Sequence, residues 1–314
     1  MSVQNSGSSL LDTATTSRPG VPVKTPVHRD HLALRILRDK RALIGVIILV
    51  IFVVVAIAAP LLVPGNPRVA VADGSQAPSF AHLLGTTAKG EDVLALLIWG
   101  SRSSLSIGFT VGALATIVGL LVGLVSAYFG RAIDDILSVV TNIFLLIPGL
   151  PLLIILAAFL PPGPGTIVIV LVATGWAGSA RVVRSQALSL RGKDYTDAAV
   201  VTGERALTIM FREMLPNMAS IVMSTFLACV IFGIGAQAGL EFLGLGDVSA
   251  VSWGTNLYWA TIEGSMIRGT WWTFVPSGVA IALVAFSLAL INYAVDEITN
   301  PRLAARAKRK DRRR

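Results

Sequence analysis

Residues 42–63 read ALIGVIILVIFVVVAIAAPLLV, and from Ala42 to Val63 these 22 residues carry no charged side chain. The hydrocarbon core of a bilayer is about 30 Å thick and takes roughly 20 apolar residues to cross as a helix. The stretch is therefore long enough to span. Ala56-Ile57-Ala58 has the look of a signal-peptide cleavage site, but the polar leader of 41 residues and the 22-residue apolar run are both too long for that class.

Five more apolar stretches follow outward from it. They lie at about Leu105 to Gly130, Ile136 to Leu160, Thr166 to Val183, Asn217 to Leu240 and Phe274 to Ala294. The third is interrupted by Pro148, Gly149 and Pro151. Proline and glycine are common in membrane helices, so this reads as a packing kink or wide turn ahead of an ion site. In lipid every backbone polar group must be satisfied internally, so the fold class expected is an all-α membrane protein with six transmembrane helices. Composition agrees: 54% of the 314 residues are hydrophobic and 14% charged, against about 25% charged in soluble domains. One cysteine excludes a disulfide framework or a cysteine-based zinc site, and three histidines are too few for a buried metal cluster.

Charge sets the orientation. With the N-terminus inside, 22 of the 26 Lys and Arg lie on the cytoplasmic side, and only Arg68, Lys89, Arg102 and Arg268 lie outside. Short inner loops carry the excess of basic residues, so both termini are expected in the cytoplasm. The basic excess then reads as topology and lipid-surface charge, and nucleic-acid binding is not expected. The organisation expected is a basic, disordered cytoplasmic segment at 1–41, a first helix at 42–63, an extracytoplasmic segment at 64–104, a membrane core at 105–296 and a basic cytoplasmic tail at 297–314. Within the core, residues 187–215 form a cytoplasmic loop and 241–273 an extracytoplasmic segment.

The spans carry only mild polar groups, including Asn142, Ser224, Thr225, Gln237 and Asn292. Ion-coupled carriers need a charge or a broken-helix site near the midplane. No phosphate-binding loop is present, since Arg191-Gly192-Lys193-Asp194 lacks the upstream glycine and the following hydroxyl. No catalytic arrangement and no metal site stand out, so catalytic residues, metals and cofactors held by this chain are all expected to be none. Gly108 and Gly112, then Gly119 and Gly123, repeat at the four-residue spacing that lets helix backbones approach closely. They read as helix-packing faces awaiting a partner chain.

The cytoplasmic loop is the most informative segment. Asp194 and Asp197 form a capping-box-like pair at a helix start, Ala198 and Ala199 give a small first turn, and Gly203 is placed to end the helix in a left-handed cap. A second helix should run from Glu204 through Arg212 to Leu215 and be stopped or redirected by Pro216. Two short helices make a compact projection that suits a groove on a cytoplasmic partner; an amphipathic helix lying on lipid is the plainer alternative.

The string Asp197-Ala-Ala-x-x-x-Gly203, with Leu215-Pro216 beyond it, resembles the EAA loop of bacterial ABC importer permeases. Asp197 stands where glutamate is usual, and Glu213 where histidine is frequent. Arg38-Asp-Lys-Arg-Ala-Leu-Ile-Gly45 resembles the N-terminal region of C-type subunits in the oligopeptide/dipeptide permease family. So do Leu84-Gly-Thr-Thr-Ala-Lys-Gly-Glu-Asp-Val93 and Gly100-Ser-Arg-Ser-Ser-Leu105, in which Thr87 and Glu91 replace the family's aspartate and arginine. Gly239-Leu-Glu-Phe-Leu-Gly-Leu-Gly246, Ser252-Trp-Gly254, Trp271-Trp272 and Asn300-Pro301-Arg302 also fit.

The resemblance implies a type I ABC importer permease fold in the bacterial cytoplasmic membrane. It implies a second, B-type permease subunit, two cytoplasmic ATPase domains that hold ATP and Mg, and an extracytoplasmic solute-binding protein. The coupling residues would be Asp194, Asp197, Ala198, Ala199, Gly203, Glu204, Arg212, Leu215 and Pro216. Glu241, Trp253, Trp271 and Trp272 are candidates for an outer gate or a binding-protein contact, with membrane-interface anchoring the plainer role for the tryptophans. The solute class expected is a dipeptide or oligopeptide. A di- or oligosaccharide, a nickel complex or haem is the alternative within the class, and an ion-coupled carrier or channel the alternative outside it.

Overall fold

The computed structural model describes residues 39–299. The leader expected to be disordered and the basic tail, with Asn300-Pro301-Arg302, lie outside the described residues.

Helix α1 (Lys40–Leu62) starts at Asp39, whose carboxylate accepts from the Arg41 N–H at 2.7 Å. Its N-cap satisfies one of the donors a helix start leaves open. Helix α2 (Val93–Phe129) begins well before the expected Leu105, because Asp92 caps it and accepts from the Ala95 N–H at 3.0 Å. At 37 residues and 1.5 Å per residue it is about 55 Å long, so residues assigned to the extracytoplasmic segment are helical. It ends at Gly130, at φ 61°.

In the third span, where the sequence reads as a packing kink or wide turn, the structure makes a sharp turn. Helix α3 (Arg131–Leu146) and helix α4 (Gly149–Phe159) meet at 89°. Ile147 is extended, at φ −70° and ψ 129°. That is the conformation forced on a residue preceding proline, so the break at Ile147-Pro148 is complete. Helix α5 (Pro164–Arg191) follows and runs past the expected Val183. Helix α9 (Ala219–Phe242) and helix α12 (Val275–Thr299) complete the set. Five helices (α1, α2, α5, α9, α12) are long and apolar enough to cross a membrane, and the bent pair α3–α4, counted as one span, brings the number to six.

Between α5 and α9 lies a projection made of α6 (Asp194–Val201), α7 (Ala206–Thr208), a π turn (Ile209–Met214) and α8 (Leu215–Asn217). Between α9 and α12, on the other side, lies a cap made of α10 (Trp253–Ile262), α11 (Ser265–Arg268) and a 3₁₀ turn (Trp271–Thr273).

The long helix α2 is the centre, and its glycines are why. A Cβ on Gly108 would lie 2.2 Å from Ile234 Cγ1, and one on Gly112 2.3 Å from Val230 Cγ2, both on α9. A Cβ on Gly119 would lie 2.0 Å from Ser179 Oγ, and one on Gly123 2.7 Å from Val183 Cγ1, both on α5. The expectation that these faces await a second chain is corrected: one pair seats α9 and the other seats α5 of the same chain. Spacing identified the faces, but it does not say what covers them.

One contact was not foreseen from the sequence, and one further expectation changes. Asp134 on α3 and Arg184 on α5 form a two-pronged ion pair, with both N–O distances 2.6 Å, and Ser126 Oγ of α2 donates to the same carboxylate. Both residues flank the apolar stretches read from the sequence, before Ile136 and after Val183, where α3 and α5 extend beyond them. Glu241, placed at the start of the extracytoplasmic segment, belongs to the last turn of α9 and is buried.

Overpacking a tight contact costs about 1–3 kcal/mol. Gly112→Val should therefore lower the thermal midpoint of the detergent-purified protein, followed by fluorescence-detected size exclusion. Gly235→Ala, whose Cβ meets nothing within 4 Å, should leave it unchanged.

Candidate functional site

The projection is rooted in a core of its own. Ile209, Met210, Met214 and Met218 are buried against Leu124 and Ala127 of α2, Val183 and Ala187 of α5, and Ala199 of α6. The capping box expected at Asp194 and Asp197 is corrected: Lys193 is the N-cap residue and no side chain caps the helix. Thr196, buried, holds the start instead, its Oγ1 donating to Leu190 O at 2.9 Å. Asp194 and Asp197 both sit exposed in the first turn, where negative charge is favoured by the helix dipole.

The C-terminal end follows the sequence. Gly203 has φ 79°; its N–H donates to Val200 O at 3.0 Å and the Glu204 N–H to Ala199 O at 3.1 Å. These two bonds make a Schellman cap, which needs a residue that tolerates the left-handed region. Ala198 is exposed and Ala199 is buried, so only the first of the pair faces outward. Pro216 does not stop the second helix. The π turn before it shifts the pairing by one residue, with the Leu215 N–H donating to Met210 O, and carries the chain over the proline. Leu215 and Pro216 are half-buried, and Glu204 and Arg212 are exposed. The outer face of the projection presents Val200, Val201, Leu207 and Phe211, with Val201 86% exposed. Asp194, Asp197, Glu204, Arg205 and Arg212 are exposed on the same projection. An apolar patch with a charged border is the pattern of a protein contact.

Behind the projection a cavity of about 530 Å³ opens between α5, α9 and α12. Ser179, Gln186, Ser224, Thr225, Asn292 and Asp296 supply its polar lining. Ser224 Oγ donates to Asp296 Oδ1 at 2.5 Å. Gln186 and Asp296 were not singled out from the sequence; for Asp296 the four-residue spacing to Asn292 was the available signal.

On the opposite side the segment after α1 docks onto the cap. The Arg68 guanidinium donates to Ser249 O at 3.0 Å and to Ala250 O at 2.7 Å, and its Nη1 lies 3.9 Å from Glu91 Oε1. Thr87 Oγ1 donates to Glu91 Oε2 at 3.2 Å, so the two departures from the family segment meet in one contact. Burial pulls the Arg68 pKa down against the raising influence of Glu91, and burial pushes that of Glu263 up. Trp272 Nε1 donates to Thr86 O at 3.2 Å.

The four outer candidates separate. Glu241 is buried and held by Ser252 Oγ and, at 3.1 Å, by Gln237 Nε2. Trp253 is fully buried and donates from Nε1 to Leu97 O at 3.2 Å. Neither faces outward, so both hold the cap to α9 and α2. Trp271 is 53% exposed and meets Trp272 edge-on at 6.0 Å; of the four it is the one with a broad free face.

Residues 115–304 match the family of binding-protein-dependent transport system inner membrane components, and residues 31–81 match the N-terminal membrane domain of oligopeptide transport permease C. A putative peptide transport system permease protein of Brucella abortus is 33% identical over 274 residues, covering 86% of this chain and 91% of that protein. An oligopeptide transport system permease protein of Lactococcus lactis is 30% identical over 290 residues, covering 89% and 98%. A dipeptide transport system permease protein of Bacillus subtilis is 29% identical over 273 residues, covering 86% and 84%. Among solved structures, the inward-facing MetNI methionine ABC transporter shares the fold, at TM-score 0.53 and 20% identity over 65% of this chain and 94% of that one. The chain belongs to the inner membrane components of binding-protein-dependent transport systems, among the C-type permeases of the oligopeptide/dipeptide group.

Proposed function

We propose that this ABC importer permease forms, with a B-type permease, the path of a dipeptide or oligopeptide, and that α6 is where a cytoplasmic ATPase pushes on it. A permease of this family works with an ATPase and an extracytoplasmic binding protein. The solute class follows the names of the relatives at 29–33% identity. The chain itself is not catalytic in this reading. ATP and Mg belong to the ATPase subunits, and no cofactor is held here.

One observation carries the mechanism: the exposed patch on the projection and the polar cavity share helix α5. Ala187 of α5 packs in the core under α6, while Ser179 and Gln186 of the same helix line the cavity. The projection runs from its π turn through α8 into α9, which supplies Ser224 and Thr225. A displacement of α6 is therefore transmitted to two of the three cavity walls. Alternating access between inward-facing and outward-facing states needs rigid-body rocking of this kind. The importer reading is favoured over a channel by the relatives, which are named as permease proteins of transport systems.

Non-glycine residues reach positive φ only at a cost of about 1 kcal/mol or more. Gly203→Val should reduce peptide uptake by the reconstituted importer at least tenfold while the protein still inserts. A Cβ at Gly203 meets nothing within 4 Å in this chain, so the loss arises from backbone strain and from the ATPase contact. Asp197→Ala should be milder. A cysteine at Val201, which is exposed where Ala199 is not, should cross-link to the ATPase groove. Wild-type uptake by Gly203→Val together with no cross-link in any nucleotide state would make the projection a lipid-surface helix.

Both termini and the projection are assigned to the cytoplasm. In a Cys229→Ser background, a cysteine replacing the fully exposed Phe80 should react with a membrane-impermeant maleimide on intact cells. One at Val201 should react only after lysis; the reverse pattern would invert the topology.

A further inference from the structure

Beneath the contact between the segment after α1 and the cap lies a second, much smaller cavity, of about 10 Å³. Its walls include Arg68, Glu91, Asn256, Glu263 and Ser277. Asn256 is 7% exposed and the side chain of Glu263 9% exposed. Asn256 Oδ1 and Glu263 Oε1 are both buried, and among the described residues no group donates a hydrogen bond to either. A buried acceptor without a donor is costly, and the two residues that carry these acceptors line the same cavity.

The surroundings leave little choice of donor. The Asn256 amide is oriented by its Nδ2, which donates to Leu96 O at 3.2 Å and to Ser277 Oγ at 3.3 Å. Turning it over would set Oδ1 against the Leu96 carbonyl. Glu263 Oε2 already accepts the Ala88 N–H at 3.2 Å. Lys89 Nζ stands 4.0 Å from Glu263 Oε1, beyond hydrogen-bond reach, and lies 3.3 Å from the centre of the Trp259 ring. Arg68 spends Nε and Nη2 on the carbonyls of residues 248–250, and Nη1, held in place by them, lies 3.9 Å from Glu91 Oε1 and donates to neither acceptor. The carboxylates of Glu91 and Glu263 are matched in charge by Arg68 and Lys89, so a further cation has no net negative field to hold it. A cavity of about 10–15 Å³ is the least that holds one water, which needs two to four polar partners.

We propose that this cavity binds one water molecule, which donates one hydrogen to Asn256 Oδ1 and the other to Glu263 Oε1. The water joins α10 at both ends of its last two turns. Through Ser277 on Asn256 and Ala88 on Glu263 it ties the head of α12 to the segment after α1. Those contacts make the cap one body over the outer ends of α2 and α12.

The assembled importer in nanodiscs tests this by high-resolution electron microscopy and by hydrogen exchange at the Ala88 amide. Density for a single atom at hydrogen-bond distance from both oxygens is expected. Asn256→Leu, which removes one acceptor, should speed exchange at Ala88 at least tenfold. Glu263→Gln, which brings its own N–H toward Asn256 Oδ1, should leave the exchange rate within about twofold of the parent. Three results would overturn the proposal: saturable protection of Ala88 by sodium or potassium over choline, which makes this a cation site; a protonated-carboxyl infrared band abolished by Glu263→Gln, which makes Glu263 the donor; or unchanged exchange in Asn256→Leu with no density.

Discussion

Two helices can lie backbone to backbone only where one of them has no side chain. In a membrane there is little hydrophobic drive to bring helices together, so close van der Waals contact supplies the association. Helix α2 meets that constraint twice, through Gly108 and Gly112 against α9 and through Gly119 and Gly123 against α5. Because the pairs are separated along the helix, α5 and α9 flank α2 at different depths. The large cavity is bounded by those two helices and α12.

The same helix ties the two ends of the molecule. Its C-terminal end offers Leu124 and Ala127 to the root of the projection, and the Ala127 carbonyl accepts from Arg191 Nη1 at 3.0 Å. Its N-terminal half offers Ser104 Oγ to the Trp253 N–H at 3.1 Å and the Leu97 carbonyl to the Trp253 indole. The projection and the cap are thus both built on α2. The Asp134–Arg184 pair adds α3 to this frame by tying it to α5.

The apolar spans were legible because lipid forbids any other backbone arrangement, and Gly203 because its place at the end of a short helix demands positive φ. Residues whose role depends on distant partners were not legible. Asp134 and Arg184 are 50 positions apart, and nothing local announces their pairing. Lys193 replaced Asp194 as the cap because Thr196 reaches back to Leu190, a contact that exists only once α5 has continued to Arg191. Glu241 was assigned to the outer segment for the same kind of reason: a charged residue after an apolar run reads as an end, although Ser252 and Gln237 make it a buried tether. The segments resembling known permeases located the projection, but which alanine faces outward is decided by packing against the methionines.

Those methionines give the projection its mechanical character. The chain has six, and Met210, Met214 and Met218 line the root beneath α6. Methionine is unbranched and polarizable and fills irregular space by changing rotamer. Beside the branched Leu124, Val183 and Ile209 of the same core, the three thioethers make this the softer joint: a small swing of the projection can be filled by rotamer change, while the glycine-sealed contacts along α2 have no side chain to adjust.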